Sequence, residues 1–182
     1  MMIAAVIIRL LLAVIFLRAA LHKLRNYKTF QAEMNAYQLL PLAWLPAAAA
    51  LLIGIESATG ILLMNPVWTM GLCLAALLLI IYAIAMMINL LKGRRTIDCG
   101  CGGPLAAKKT ISWSLVIRNF ILALLALFCT TALLMRSLDT LEVFIIFSGV
   151  AASLLIYEAI EQAIANSQNY QRWQARNAGV PR

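Results

Sequence analysis

The chain has 182 residues, 64% of them hydrophobic and 12% charged, with a formal net charge of +8. Soluble domains carry about a quarter charged residues, so this composition and a mean hydropathy of +0.91 exclude an ordinary soluble domain and predict an all-α, polytopic integral membrane bundle. The positive charge calls for no nucleic acid, because basic residues of membrane proteins gather in cytoplasmic loops and at anionic headgroups.

A spanning helix needs about 20 predominantly apolar residues. Five segments qualify in chain order: Met2–Leu21, Pro41–Leu63, Val67–Leu91, Leu115–Met135 and Leu141–Ile164. They predict one transmembrane bundle over residues 1–165 and a short basic tail over 166–182, with lipid as the main surrounding partner. The first span does not read as a cleaved signal peptide, since no basic residue precedes it and Arg9 and Arg18 lie inside it. Asn65-Pro66 marks a tight turn between the second and third spans.

With five spans, segments 22–40, 92–114 and 165–182 share one side. They carry Lys23, Arg25 and Lys28, then Lys92, Arg94, Arg95, Lys108 and Lys109, then Arg172, Arg176 and Arg182. Arg136 alone lies opposite. The positive-inside rule then predicts a multi-pass protein of the bacterial inner membrane, with the N-terminus outside and the C-terminus and the 92–114 loop in the cytoplasm.

Helix rise converts position to depth. Counted from the helix ends, Arg9 and Glu56 both lie about 10 Å below the outer surface. An unpaired charge in hydrocarbon is expensive, so the two are predicted to form an ion pair. It would serve as a packing latch or as a proton or cofactor site. Cys73 and Cys129 are also matched in depth and form a candidate second thiol pair, although cysteine also serves as a small packing residue.

The polar loop holds Ile97-Asp98-Cys99-Gly100-Cys101-Gly102-Gly103. A disulfide wants Cα atoms about 4.4–6.8 Å apart, which residues two apart reach only if the middle one bends sharply. Gly100 bends at little cost. The small ring is expected to be strained, readily reduced and suited to exchange. His22 and Lys23 close the first span, and Arg118 and Asn119 open the fourth, at the same level as Cys99 and Cys101. Cationic neighbours favour the thiolate, whereas the charge of Asp98 opposes it. The same two thiolates also suit Cu(I). Zinc and iron–sulfur sites want four ligands, and no metal site is assigned.

Arg9, His22-Lys23, Glu56, Asp98-Cys99-Gly100-Cys101-Gly102 and Arg118-Asn119 together resemble the MauE/DoxX group of redox-associated membrane proteins, over roughly residues 5–160. The double-cysteine loop followed by Arg-Asn is the specific part. The resemblance implies disulfide chemistry in the maturation of exported proteins, beside a thioredoxin-like partner. Here Gly102 stands where an aromatic residue often follows the second cysteine in that group.

The leading expectation is therefore a thiol–disulfide redox protein, a possible oxidoreductase, with Cys99 and Cys101 as its reactive pair. A membrane Cu(I)-binding protein and a non-catalytic scaffold for a partner subunit are the alternatives. The two cysteine levels are about 20–25 Å apart by helix rise, so a relay between them needs a conformational change, a second protein or a quinone cofactor.

Overall fold

The computed structural model describes residues 2–65, 69–94, 111–131 and 140–177. Six helices account for nearly all of these: α1 (Met2–Arg25), α2 (Tyr27–Ala36), α3 (Leu45–Met64), α4 (Met70–Leu91), α5 (Trp113–Phe128) and α6 (Thr140–Asn177). Short 3₁₀ turns precede α3 at Leu42–Trp44 and follow α5 at Cys129–Thr131. The protein is an all-α, polytopic membrane bundle. The helices α1, α4, the Leu42–Met64 segment and the Thr140–Ser167 part of α6 are long and apolar enough to cross a membrane. At 16 residues, α5 rises about 24 Å, somewhat less than the 30 Å hydrocarbon core.

Neighbouring helices alternate in direction. Gly60 of α3 approaches Ala13 and Leu17 of α1, and Gly71 of α4 approaches Leu62 and Leu63 of α3. Leu72, Ala75, Ala76 and Leu79 of α4 pack in one cluster with Leu122, Ala123, Ala126 and Cys129. Nearer the opposite end, Met86 and Leu90 pack with Ile111, Leu115 and Val116. That second end carries the ends of α1 and α4 and the start of α5 and forms the loop end of the bundle. In lipid, burying an apolar side chain gains little, and close packing holds helices together. The alanines at the α4–α5 contact and Gly60 at the α1–α3 contact permit such approach.

One element departs from the sequence expectation. Segment 22–40 contains α2, whose Phe30 is buried with Ala49 and Ile53 of α3. Tyr27 Oη donates to the Pro46 carbonyl at 2.8 Å, and Tyr37 packs on the Met86–Leu115 cluster. This helix therefore lies over the loop end. It is too short and too polar to register as a span. The chain then turns back at Gln38, which takes a φ of 49°, into an exposed Leu39, Leu40, Leu42 and Trp44 stretch. The last helix, α6, continues past residue 165 without interruption as far as Asn177 and extends about 57 Å.

Candidate functional site

The most deeply buried charges of the described structure meet just inside the loop end. Lys23 of α1 is 3% exposed and Glu56 of α3 is 1% exposed. Their side chains form an ion pair, and Tyr82 Oη of α4 donates to the same Glu56 Oε1. Lys23 Nζ also donates to Tyr82 Oη at 3.1 Å. The ammonium lies 4.8 Å from the Tyr82 ring centre and 5.0 Å from that of Phe30, so α2 closes the cluster from above. Glu56 Oε2 is buried with no hydrogen-bond partner among the described residues.

Helix geometry explains why Lys23 reaches Glu56 and Arg9 does not. Each Cα–Cβ bond tilts toward its own helix N-terminus. In antiparallel α1 and α3, Lys23 leans from the loop end toward the membrane interior while Glu56 leans toward the loop end, so the two converge. Arg9 leans in the same direction as Lys23 but starts beyond Glu56, beside Leu63, so its lean carries it away from that carboxylate. The expected Arg9–Glu56 pair is therefore replaced by Lys23–Glu56. Arg9 Nε donates to the Leu63 carbonyl at 3.0 Å, one of the final α3 carbonyls that lack an intrahelical partner. The depth match failed because it aligned the helix ends. In the structure α1 overhangs α3 by about two turns, and Arg9, not Met2, stands beside Leu63.

A second polar group joins α6 to the bundle. Arg118 of α5 pairs with Glu161, and Arg18 of α1 pairs with Glu158. Arg118 Nη2 also donates to Asn119 Oδ1 at 3.1 Å, and its guanidinium lies 5.9 Å from the Tyr157 ring centre. Asn119 Nδ2 and Asn89 Oδ1 are buried without partners among the described residues. Asn89 Nδ2 donates to the Ala85 carbonyl at 3.1 Å. His22 is half-buried, its Nδ1 lying 3.3 Å from Asn26 Nδ2.

Of the candidates named from sequence, Arg118 and Asn119 touch each other, and Lys23 and Glu56 touch each other. Asp98, Cys99, Gly100 and Cys101 lie outside the described residues. The residues before and after them are placed: Arg94 follows the end of α4, and Ile111, just before α5, is buried against Met86 and Leu90. Cys73 and Cys129 do not form a pair. Both are free, with Cys73 exposed and Cys129 buried. At 100° per residue, Cys73 falls with Leu77, Ile81 and Ile84 on the outward face of α4, whereas Cys129 packs with Leu12, Leu63 and Leu72. Equal depth did not mean a shared face. Tyr82, Glu158 and Glu161 escaped notice in the sequence. Two carboxylates three residues apart inside an apolar run, at the level of Arg18 and Arg118, were the available signal for the last two.

Residues 1–132 match the family described as methylamine utilisation protein MauE. The chain belongs to the MauE family. It is 38% identical over 127 residues to the methylamine utilization protein MauE of Paracoccus denitrificans, covering 69% of this chain and 68% of that protein. The corresponding protein of Paracoccus versutus is 37% identical over 121 residues, covering 66% of this chain and 64% of the relative. That of Methylophilus methylotrophus is 32% identical over 120 residues, covering 65% and 63%. The matches thus span about two thirds of these relatives. The family match takes in Lys23, Glu56, Tyr82, Cys99, Cys101 and Arg118, and it ends before α6. No solved structure matches the chain.

Proposed function

We propose that this chain is a membrane thiol–disulfide redox protein of methylamine utilisation, in which Cys99 and Cys101 alternate between dithiol and disulfide. A thioredoxin-like protein is its exchange partner, and the pathway served is the maturation of exported proteins. In one turn of exchange the two thiols lose two electrons and two protons and become joined by an S–S bond. The partner's disulfide takes up both and opens to a dithiol. The reverse step regenerates the starting pair.

The observation that carries this reading is the Cys99-Gly100-Cys101 sequence within the family-matched region, between helices packed against each other at the loop end. Two thiols one glycine apart serve packing poorly and exchange well. The basic residues around this segment favour a cytoplasmic loop in a bacterial inner membrane, with the N-terminus outside.

Thiol alkylation in membranes followed by mass measurement tests the proposal. Reduction is expected to add two alkylated thiols that disappear in Cys99→Ser and Cys101→Ser proteins. A pair that stays reduced under every oxidant, with activity intact in the double serine protein, overturns it. Labelling of intact cells with an impermeant thiol reagent reads the side: protection of Cys99 and Cys101 is expected, and ready labelling reverses the orientation.

A further inference from the structure

Buried ionisable groups within a membrane are costly and mark proton, ion or substrate paths more often than simple packing. The Lys23–Glu56–Tyr82 cluster has three properties that bear on this. It is sealed, with Lys23 and Glu56 almost wholly inaccessible and Phe30 of α2 lying over the ammonium. It is continuous, because Lys23 Nζ bonds both Tyr82 Oη and Glu56 Oε1, and Tyr82 Oη bonds that same oxygen. It is also incomplete, since Glu56 Oε2 is buried and lacks a partner among the described residues.

From these we infer that Lys23, Tyr82 and Glu56 form an intramembrane proton-transfer station, in which Glu56 exchanges a proton with Lys23 and Tyr82 through Oε1 and keeps Oε2 open for exchange with a further group. The balance is simple. A proton leaving the Lys23 ammonium for the Glu56 carboxylate, directly or through Tyr82 Oη, converts an ion pair into an amine and a carboxylic acid. No electrons move, and the net charge of the site stays at zero. Transfer within the station therefore avoids placing an uncompensated charge in the interior, the large cost of burial. The groups that face Glu56 are Lys23 from α1 and Tyr82 from α4, while α2 contributes the uncharged Phe30 ring. A purely structural ion pair would be expected to satisfy both carboxylate oxygens, whereas Glu56 Oε2 is left without a partner among the described residues.

Infrared difference spectroscopy of the full chain in lipid nanodiscs tests this inference. A protonated-carboxyl stretch that shifts on exchange into D2O is expected in the native protein and is expected to be lost in Glu56→Gln. Lys23→Met should change the intensity of the band by removing the group that exchanges the proton, and Tyr82→Phe should displace it by removing one hydrogen bond. The band is expected unchanged in the Cys99→Ser, Cys101→Ser protein, which separates this inference from the redox proposal. If no Glu56-dependent band occurs at any pH at which circular dichroism shows the native protein folded, the station is overturned. A protonated-carboxyl spectrum identical in the native protein and Glu56→Gln overturns it equally.

Discussion

Arg118 of α5 and Glu161 of α6 are joined by an ion pair whose guanidinium also bonds the Asn119 side chain at 3.1 Å. Both partners are largely buried, so neither can turn to water when the other is removed. Glu161→Ala is expected to destabilise the protein by about 3–5 kcal/mol, the usual cost of breaking a buried ion pair by removing one partner. Reversible unfolding in mixed micelles, with wild type as reference, measures it. A loss of under 1 kcal/mol would place this pair among weakly contributing surface pairs.

Lys23 and Glu56 make a sharper case, because both can be replaced together. Glu56→Leu alone leaves an ammonium in the interior and should cost about 3–5 kcal/mol. Adding Lys23→Met restores an apolar, similarly sized site and should recover most of that loss. A double-mutant cycle on unfolding free energies tests the coupling. Additive losses would mean that the two residues do not act as a pair.

The three close-approach glycines should respond differently to alanine. A Cβ at Gly149 meets the far end of Ile7 at 2.5 Å, and that flexible tip can swing aside, so Gly149→Ala should be nearly neutral. A Cβ at Gly60 lies 2.7 Å from Leu17 Cγ, at the side-chain branch point, and should cost about 1–3 kcal/mol through overpacking. Leu17→Ala is expected to relieve part of it. At Gly71 the contacts are α3 backbone atoms at 3.0 Å, so no side-chain change should rescue Gly71→Ala. Thermal unfolding of the variants in one detergent ranks them.

Cys73 and Cys129 should differ in reactivity. A membrane-permeant maleimide is expected to modify Cys73 in folded protein and Cys129 only after unfolding, read by peptide mass. A Cys73–Cys129 disulfide under mild oxidation would contradict the outward face assigned to Cys73.

Much of this arrangement was legible in the sequence. Apolar runs located the spanning helices, and the polar residues within them, Arg9, Glu56 and Asn119, are all buried. Partners were harder to read, for a physical reason. Depth alone fixes one coordinate, whereas contact also requires a shared face and convergent side-chain lean. Glu56 met Lys23 because of lean, and Cys73 missed Cys129 because of face. Tyr82 carries its hydroxyl on an otherwise apolar ring, so it blends into a hydrophobic run until a carboxylate is placed beside it. The capping helix α2 was concealed by its polarity, since a few aromatic and apolar side chains, chiefly Phe30 with Tyr27 and Met34, hold it down.

The ion pairs of α6 also impose an order on biogenesis. Arg18 and Arg118 are made and inserted first, and their carboxylates at Glu158 and Glu161 follow 140 and 43 residues later. During synthesis the growing bundle therefore holds both arginines before their α6 carboxylates arrive. Ribosome release of the final helix neutralises both within a single turn. Chains halted before residue 158 should remain bound to insertion factors and be prime targets for membrane proteases, although the family-matched region would already be complete.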